Sequence, residues 1–248
     1  MLLQHVHELR LATIEQLAAL AGRSYKRTQE RLVKLEAHRY LSCVARRPQK
    51  HVYAVGSEGI EALIEHGFAP RELALKRLRH NELKELGLRH AVFISDIHVR
   101  LLQLTRAQSR ELSQWVEGPS LWDRVTTSSN VVIPIRPDAR FTITGPAGKG
   151  SAHFFLEADR GTMAHSRMRD KVTGYAAYFQ QQRHVKKYAG MKVFRVATVT
   201  ETRGRAQSLA AEFRALMPPA WLAAYPVLAF EDLTLERLMP EIAHEPGA

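Results

Sequence analysis

Apolar residues recur at helical spacing through the first forty positions and alternate with polar ones later, so the chain reads as two differently built parts. Leu2, Leu3, Val6 and Leu9 form one helix face. Thr13-Ile14-Glu15-Gln16 matches a capping box, with Thr13 as N-cap and Gln16 three residues on, and opens a short helix that stops at Gly22. Ser24 caps a third helix carrying Thr28, Leu32 and Leu35 on its inner side. Tyr40 to Val44 then reads as a strand, residues 46–50 as a polar turn and His51 to Val55 as the return strand. A last helix starts at Ser57 and stops at Gly67.

Helix, capped helix, tight turn, helix and hairpin over residues 1–67 are the order of a winged helix-turn-helix. Residues 68–87 read as a helical linker, helical from Pro70 to about Glu85 and broken at Gly87, where we place the domain boundary. The helix from Leu88 to about Ala107 is apolar over a broad surface (Ala91, Ile94, Ile97, Val99, Leu101, Leu102), which predicts packing on the C-terminal domain or on a second subunit. A homodimer is consistent with this. Residues 88–235 alternate strand and helix patterns. Strands are predicted at 111–116, 131–135, 139–144, 153–159, 191–199 and 225–230, and helices at 166–182 and 203–216; residues 236–248 read as a tail. The whole is α+β, a winged helix-turn-helix followed by an α/β domain with a mixed central sheet.

Charge narrows the partner. A net charge of +11 favours a polyanion, nucleic acid ahead of an acidic membrane surface. Nine Lys or Arg against two Glu fall within residues 23–50. That places the basic excess on the third helix and the wing, so double-stranded DNA is the expected partner. Tyr25, Lys26, Arg27, Gln29, Arg31 and Lys34 are the candidates on the reading helix, and Arg46, Arg47 and Lys50 are those at the wing tip. A basic face on a protein-interaction module is the competing reading. A single cysteine, Cys43, excludes an internal disulfide framework, and no apolar run approaches a bilayer span. Those features predict a cytoplasmic protein with no membrane partner.

Candidate chemistry gathers at residues 153–162. On a strand, Phe154, Leu156 and Ala158 share one face while Phe155, Glu157 and Asp159 share the other. Two like charges side by side need a cation, a shared proton or hydrogen-bond donors. The plain structural reading is a turn at Asp159 and Gly161 with Glu157 solvated or arginine-paired. With Asp138 just before the preceding strand, three carboxylates converge on one sheet edge, a donor set suited to Mg²⁺ or Mn²⁺. No Walker-type loop occurs, because Gly145-Pro146-Ala147-Gly148-Lys149 lacks the required spacing.

Pro137-Asp138-Ala139, the run from Phe155 to Thr162, and Lys171 with Tyr175 behind a winged helix together resemble the plasmid replication-relaxation protein family. That resemblance implies a restriction-endonuclease-like domain, an association with plasmids and mobile elements, and Asp138 and Glu157 as metal ligands. Where the nuclease pattern has lysine, this chain has Asp159. Lys171, one helix on, could replace that lysine. Otherwise the acids serve a salt-bridge network with Arg160, Arg167 or Arg169. The expectation is a DNA-binding protein of a mobile element, acting in replication or relaxation, transfer or transcription control, with a degenerate nuclease-like domain. The alternative is a Mg²⁺- or Mn²⁺-dependent DNA endonuclease with Asp138, Glu157, Asp159 and Lys171 as its catalytic set.

Overall fold

The computed structural model describes residues 2–47, 50–72, 85–161 and 164–240. It divides into two compact units between Val99 and Arg100. The chain is mixed α and β with a mixed central sheet in the second unit.

In the first unit, helices α1 (Leu2–Leu9), α2 (Ile14–Ala21), α3 (Tyr25–Ala37) and α4 (Ser57–Glu65) surround strands β1 (Ala12–Thr13), β2 (Leu41–Arg47) and β3 (Lys50–Val55). The strands pair antiparallel in the order β1-β3-β2. The start of α2 is set by the expected capping box: Thr13 Oγ1 accepts from Gln16 N at 3.3 Å, and Gln16 Oε1 accepts from Thr13 N at 2.8 Å. Its end is set by Gly22, whose φ of +60° suits a residue without Cβ. Ser24 Oγ caps α3 through Arg27 N.

Helix α5 (Glu85–Ala107) runs through Gly87 without a break. Its residues up to Val99 belong to the first unit rather than to the C-terminal domain, and two buried side chains explain this. Gln16 Nε2 donates to Asp96 Oδ1 at 2.6 Å, and Ser95 Oγ lies 2.8 Å from Leu11 O and 3.1 Å from Leu9 O, near the end of α1. Leu88 and Val92 complete the attachment by packing with Leu11, Val52 and Ala54. Glycine is poor inside a helix but does not break one whose neighbours are anchored in this way. Gln16→Leu is expected to lower stability by about 1–3 kcal/mol, because buried Thr13 N and Asp96 lose a partner. Chemical denaturation checks it; an unchanged midpoint would remove this account of the helix. The helix expected from Pro70 lies, over residues 73–84, outside the described residues.

In the second unit, β4 (Glu111–Glu117), β7 (Ala139–Thr144), β8 (Ser151–Asp159), β9 (Arg195–Thr200) and β10 (Val227–Ala229) form one sheet in the order β10-β9-β8-β7-β4. Strands β8, β9 and β10 run parallel, while β7 and β4 are antiparallel additions. Helix α6 (His165–Gln180) and the short α7 (Arg183–Lys187) connect β8 to β9. Helix α8 (Arg203–Leu216) and α9 (Pro219–Leu222) connect β9 to β10, and α10 (Leu235–Leu238) lies at the start of the expected tail. Parallel neighbours need such crossovers, whereas β7 and β8 are joined by a tight turn at residues 145–150. Phe155 is the centre of the core, its ring against those of Tyr175, Tyr178 and Phe194, and Val196, Leu209 and Phe213 belong to the same cluster.

In the second unit the largest differences from the sequence-based expectation concern two strand boundaries and one strand's pairing. Residues 191–194 precede β9 rather than belong to it, although Met191 and Phe194 are buried in the same core. The last strand covers only Val227–Ala229. Strand β6 (Val132–Ile135) pairs not with the central sheet but with β5 (Asp123–Thr126), a strand with no prediction. Val125, Ile133 and Ile135 press this ribbon onto α6 at Gly174, where an added Cβ would stand 2.8 Å from Ile133 Cγ2.

Candidate functional site

Alternation along β8 turns Phe155, Glu157 and Asp159 to one face, and their partners agree. Phe155 packs on Tyr175, Glu157 meets Tyr175 and Lys171, and Asp159 meets Arg205. Both acids are buried, at 3% and 4% exposure.

Asp138 stands just before the first residue of β7, where the ladder to β8 runs out. Its N–H donates to Leu156 O at 2.9 Å, and its Oδ2 accepts from Ala158 N at 2.8 Å. The side chain thus satisfies a strand N–H that no main-chain carbonyl reaches, which fixes the carboxylate beside Glu157. Lys171 and Tyr175 are four residues apart on α6 and therefore share one helix face. Tyr175 donates its hydroxyl to Glu157 Oε1 at 2.6 Å, and the Lys171 ammonium sits on Glu157 Oε2. Asp138 and Lys171 are only half-buried, so the cluster opens to solvent through them.

Electrostatics at this cluster are opposed. Burial pushes Glu157 up from 4.5 to about 7, Asp138 adds to that, and Lys171 works against it. Burial disfavours the Lys171 ammonium, yet the charges of Glu157 and Asp138 outweigh it and its pKa rises. Burial, with Glu157 next to it, holds the Tyr175 phenol well above its usual range. Lys171 therefore carries its charge and Tyr175 its proton, and both point at one carboxylate.

Divalent cations of the Mg²⁺ class take one or two protein carboxylates and complete their shell with water and phosphate oxygens. Asp138 and Glu157 fit that donor set. Among the described residues no group of three or more His, Cys, Asp or Glu forms a metal cage. Asp159 is engaged elsewhere: Oδ2 accepts from Arg205 Nε at 2.6 Å, and Oδ1 from Gly161 N at 3.1 Å in a turn where Gly161 has φ +76°. Arg160 pairs with Glu201 at 2.7 Å and Arg169 with Glu212 at 2.9 Å, so neither bridges to the acid pair. Arg205 is a partner that the sequence alone does not single out. Its signal is topological: it lies in the first turn of the helix that follows β9, and β9 is the parallel neighbour of β8.

The candidate DNA-facing residues gather on α3. Tyr25, Lys26, Arg27, Arg31 and Lys34 are exposed and Gln29 is half-buried, while Thr28 and Leu32 turn inward. Arg46 pairs across the hairpin with His51 and Arg47 with Lys50, at the end of the β2–β3 ribbon. Residues 48–49 of the expected wing tip lie outside the described residues. No helix among the described residues is long and apolar enough to cross a membrane.

Residues 3–194 match the family model described as replication-relaxation. That span contains Asp138, Glu157, Asp159 and Lys171 but stops before Arg205. No curated protein and no solved structure matches the chain.

Proposed function

Since the chain belongs to the replication-relaxation family, we propose that it acts directly on the DNA of a plasmid or other mobile element. In this reading the first unit is a winged helix that holds the duplex and the second a restriction-endonuclease-like domain that cuts one strand in the presence of a divalent cation. The observation that carries the proposal is the Lys171 ammonium on Glu157 beside Asp138. It returns to the acid pair the positive charge that Asp159 removes from the strand.

Asp138 and Glu157 would hold the cation, which when bound supplies Lewis acidity toward a phosphate and its attacking water. Asp138 is pre-set by Ala158 N, and Tyr175 fixes the rotamer of Glu157 from the buried side. Because its pKa is raised, Lys171 remains an ammonium. Its role is to steady charge on the phosphate and orient water rather than to take a proton. Conversion of supercoiled plasmid to open circles with Mg²⁺ or Mn²⁺, abolished in the alanine variants of Asp138 and Glu157, tests the centre.

One observation favours a second reading. Glu157 already has a donor on each oxygen and Asp159 is engaged by Arg205 and by Gly161 N, so the acids could simply brace β8 against α6 and α8. The chain would then be a DNA-binding protein without chemistry. Absence of nicking by pure wild-type protein selects it.

Duplex binding is tested separately. Replacing Lys26, Arg31 and Lys34 together by Ala is expected to reduce the slope of log affinity against log salt by up to about 3, near 0.9 for each phosphate no longer neutralised. A slope equal to wild type in a mobility-shift series would take α3 out of the interface.

A further inference from the structure

The β5–β6 ribbon has an inner face in the core and an outer face turned to solvent. Register opposes Arg124 to Pro134 and Thr126 to Val132, all exposed, while Val125, Ile133 and Ile135 point inward. One step beyond the ladder, Trp122 and Arg136 extend the outer face, with the Arg136 guanidinium 4.9 Å from the Trp122 ring centroid. Trp122 nevertheless remains 47% exposed and Val132 60%. Trp122, Arg124, Val132, Pro134 and Arg136 line one shallow depression together with Asp123.

Two interactions make this face rigid and basic. Lys187 Nζ donates to Trp122 O at 2.7 Å, tying the platform to α7. Arg183 pairs with Asp123 at 2.6 Å, neutralising the acid in the depression, so that Arg124 and Arg136 set its net charge. A buried anchor of Val125, Ile133 and Ile135 on α6 holds the ribbon from behind. An exposed indole flanked by arginines on a fixed support is the chemistry that stacks an unpaired base and holds its phosphates. Duplex bases offer no free ring face to such a platform without unstacking. A second copy of the chain would bring the same arginines against one another in a two-fold arrangement.

We propose that the outer face of the β5–β6 ribbon binds single-stranded DNA, with Trp122 as the stacking platform and Arg124 and Arg136 on the backbone. This rests on the reading of the chain as DNA-acting and is independent of the metal centre. A nicked or locally opened duplex supplies such a strand.

The test is fluorescence anisotropy of the full chain with a labelled oligothymidine, alongside a blunt duplex of random sequence. Trp122→Ala is expected to weaken oligothymidine binding by about 5- to 150-fold, as for removal of one base–aromatic stack, with Trp122→Phe retaining most of the affinity. Arg124→Ala and Arg136→Ala together should lower the salt slope by about 0.7 for each single-strand phosphate that is no longer neutralised. Duplex binding should be unchanged in all of them, which separates this surface from α3. Unchanged oligothymidine binding by Trp122→Ala would overturn the proposal, as would an equal weakening on duplex. Conversion of a wild-type dimer to monomer by Trp122→Ala, with strand binding intact, would assign the face to a second copy instead and overturn it equally.

Discussion

Supercoiled plasmid incubated with the protein and Mn²⁺ is expected to open to nicked circles, and Asp138→Asn, Glu157→Gln and Lys171→Met are each expected to slow that conversion by about a hundredfold or more. The size follows from what each side chain does. Removing one preorganised electrostatic interaction from a phosphoryl or acyl transition state costs about 10²–10³ in rate. In the proposed centre Asp138 and Glu157 would be the hard oxygen donors, and Lys171 is the cation seated on Glu157 at the solvent side of the cluster. Asp159→Asn separates this site from its surroundings. Its carboxylate is committed to Arg205 and the Gly161 turn, so nicking should stay within about tenfold while stability falls. The order of effects is therefore the informative readout. If Asp159→Asn were as damaging as Lys171→Met, the strand acid and not the helix lysine would belong to the chemistry. If wild type fails to nick with Mg²⁺ and Mn²⁺, the cluster is a structural brace.

The face shared by Glu157 and Asp159 is legible in the sequence because a strand's period of two leaves no freedom: Phe155, Glu157 and Asp159 point together whatever the sheet around them. The capping box at Thr13 and Gln16 is legible for a similar reason, since its two hydrogen bonds close within four residues. Lys171 is legible as a candidate, but its pairing with Glu157 depends on the angle at which α6 crosses β8, and packing around Phe155 and Gly174 sets that angle. What stays hidden depends on distant partners. Asp123–Thr126 is too short and too polar to announce a strand, and it exists because β6 pairs with it and α6 covers its one buried residue, Val125. The attachment of α5 to the first unit rests in part on Ser95 and Gln16, two polar residues that helical periodicity does not count. Arg205 requires knowing that β9 lies parallel beside β8.

Glu157→Gln is also expected to make the protein more stable than wild type at pH 8 in metal-free buffer, with the advantage shrinking toward pH 5. Folding raises the pKa of Glu157 from 4.5 to about 7, mainly through burial. A raised carboxyl favours folding fully below 4.5, where it is protonated in both states, and that favourable contribution is lost as pH climbs through 7 and the buried group must ionise. The amide never ionises, so it escapes this loss. At ~1.4 kcal/mol per pKa unit the difference between variant and wild type should change by roughly 2–3 kcal/mol from pH 5 to pH 8. That corresponds to a Tm difference of about 5–10 °C. A brace predicts the opposite sign. If the Lys171–Glu157 pair is there to hold α6 on the sheet, breaking it at pH 8 leaves a half-buried ammonium without its partner and costs about 3–5 kcal/mol. Thermal unfolding of the two proteins at pH 5 and pH 8 therefore decides whether the acid is kept in spite of its cost to stability, as a working site requires, or because of its benefit.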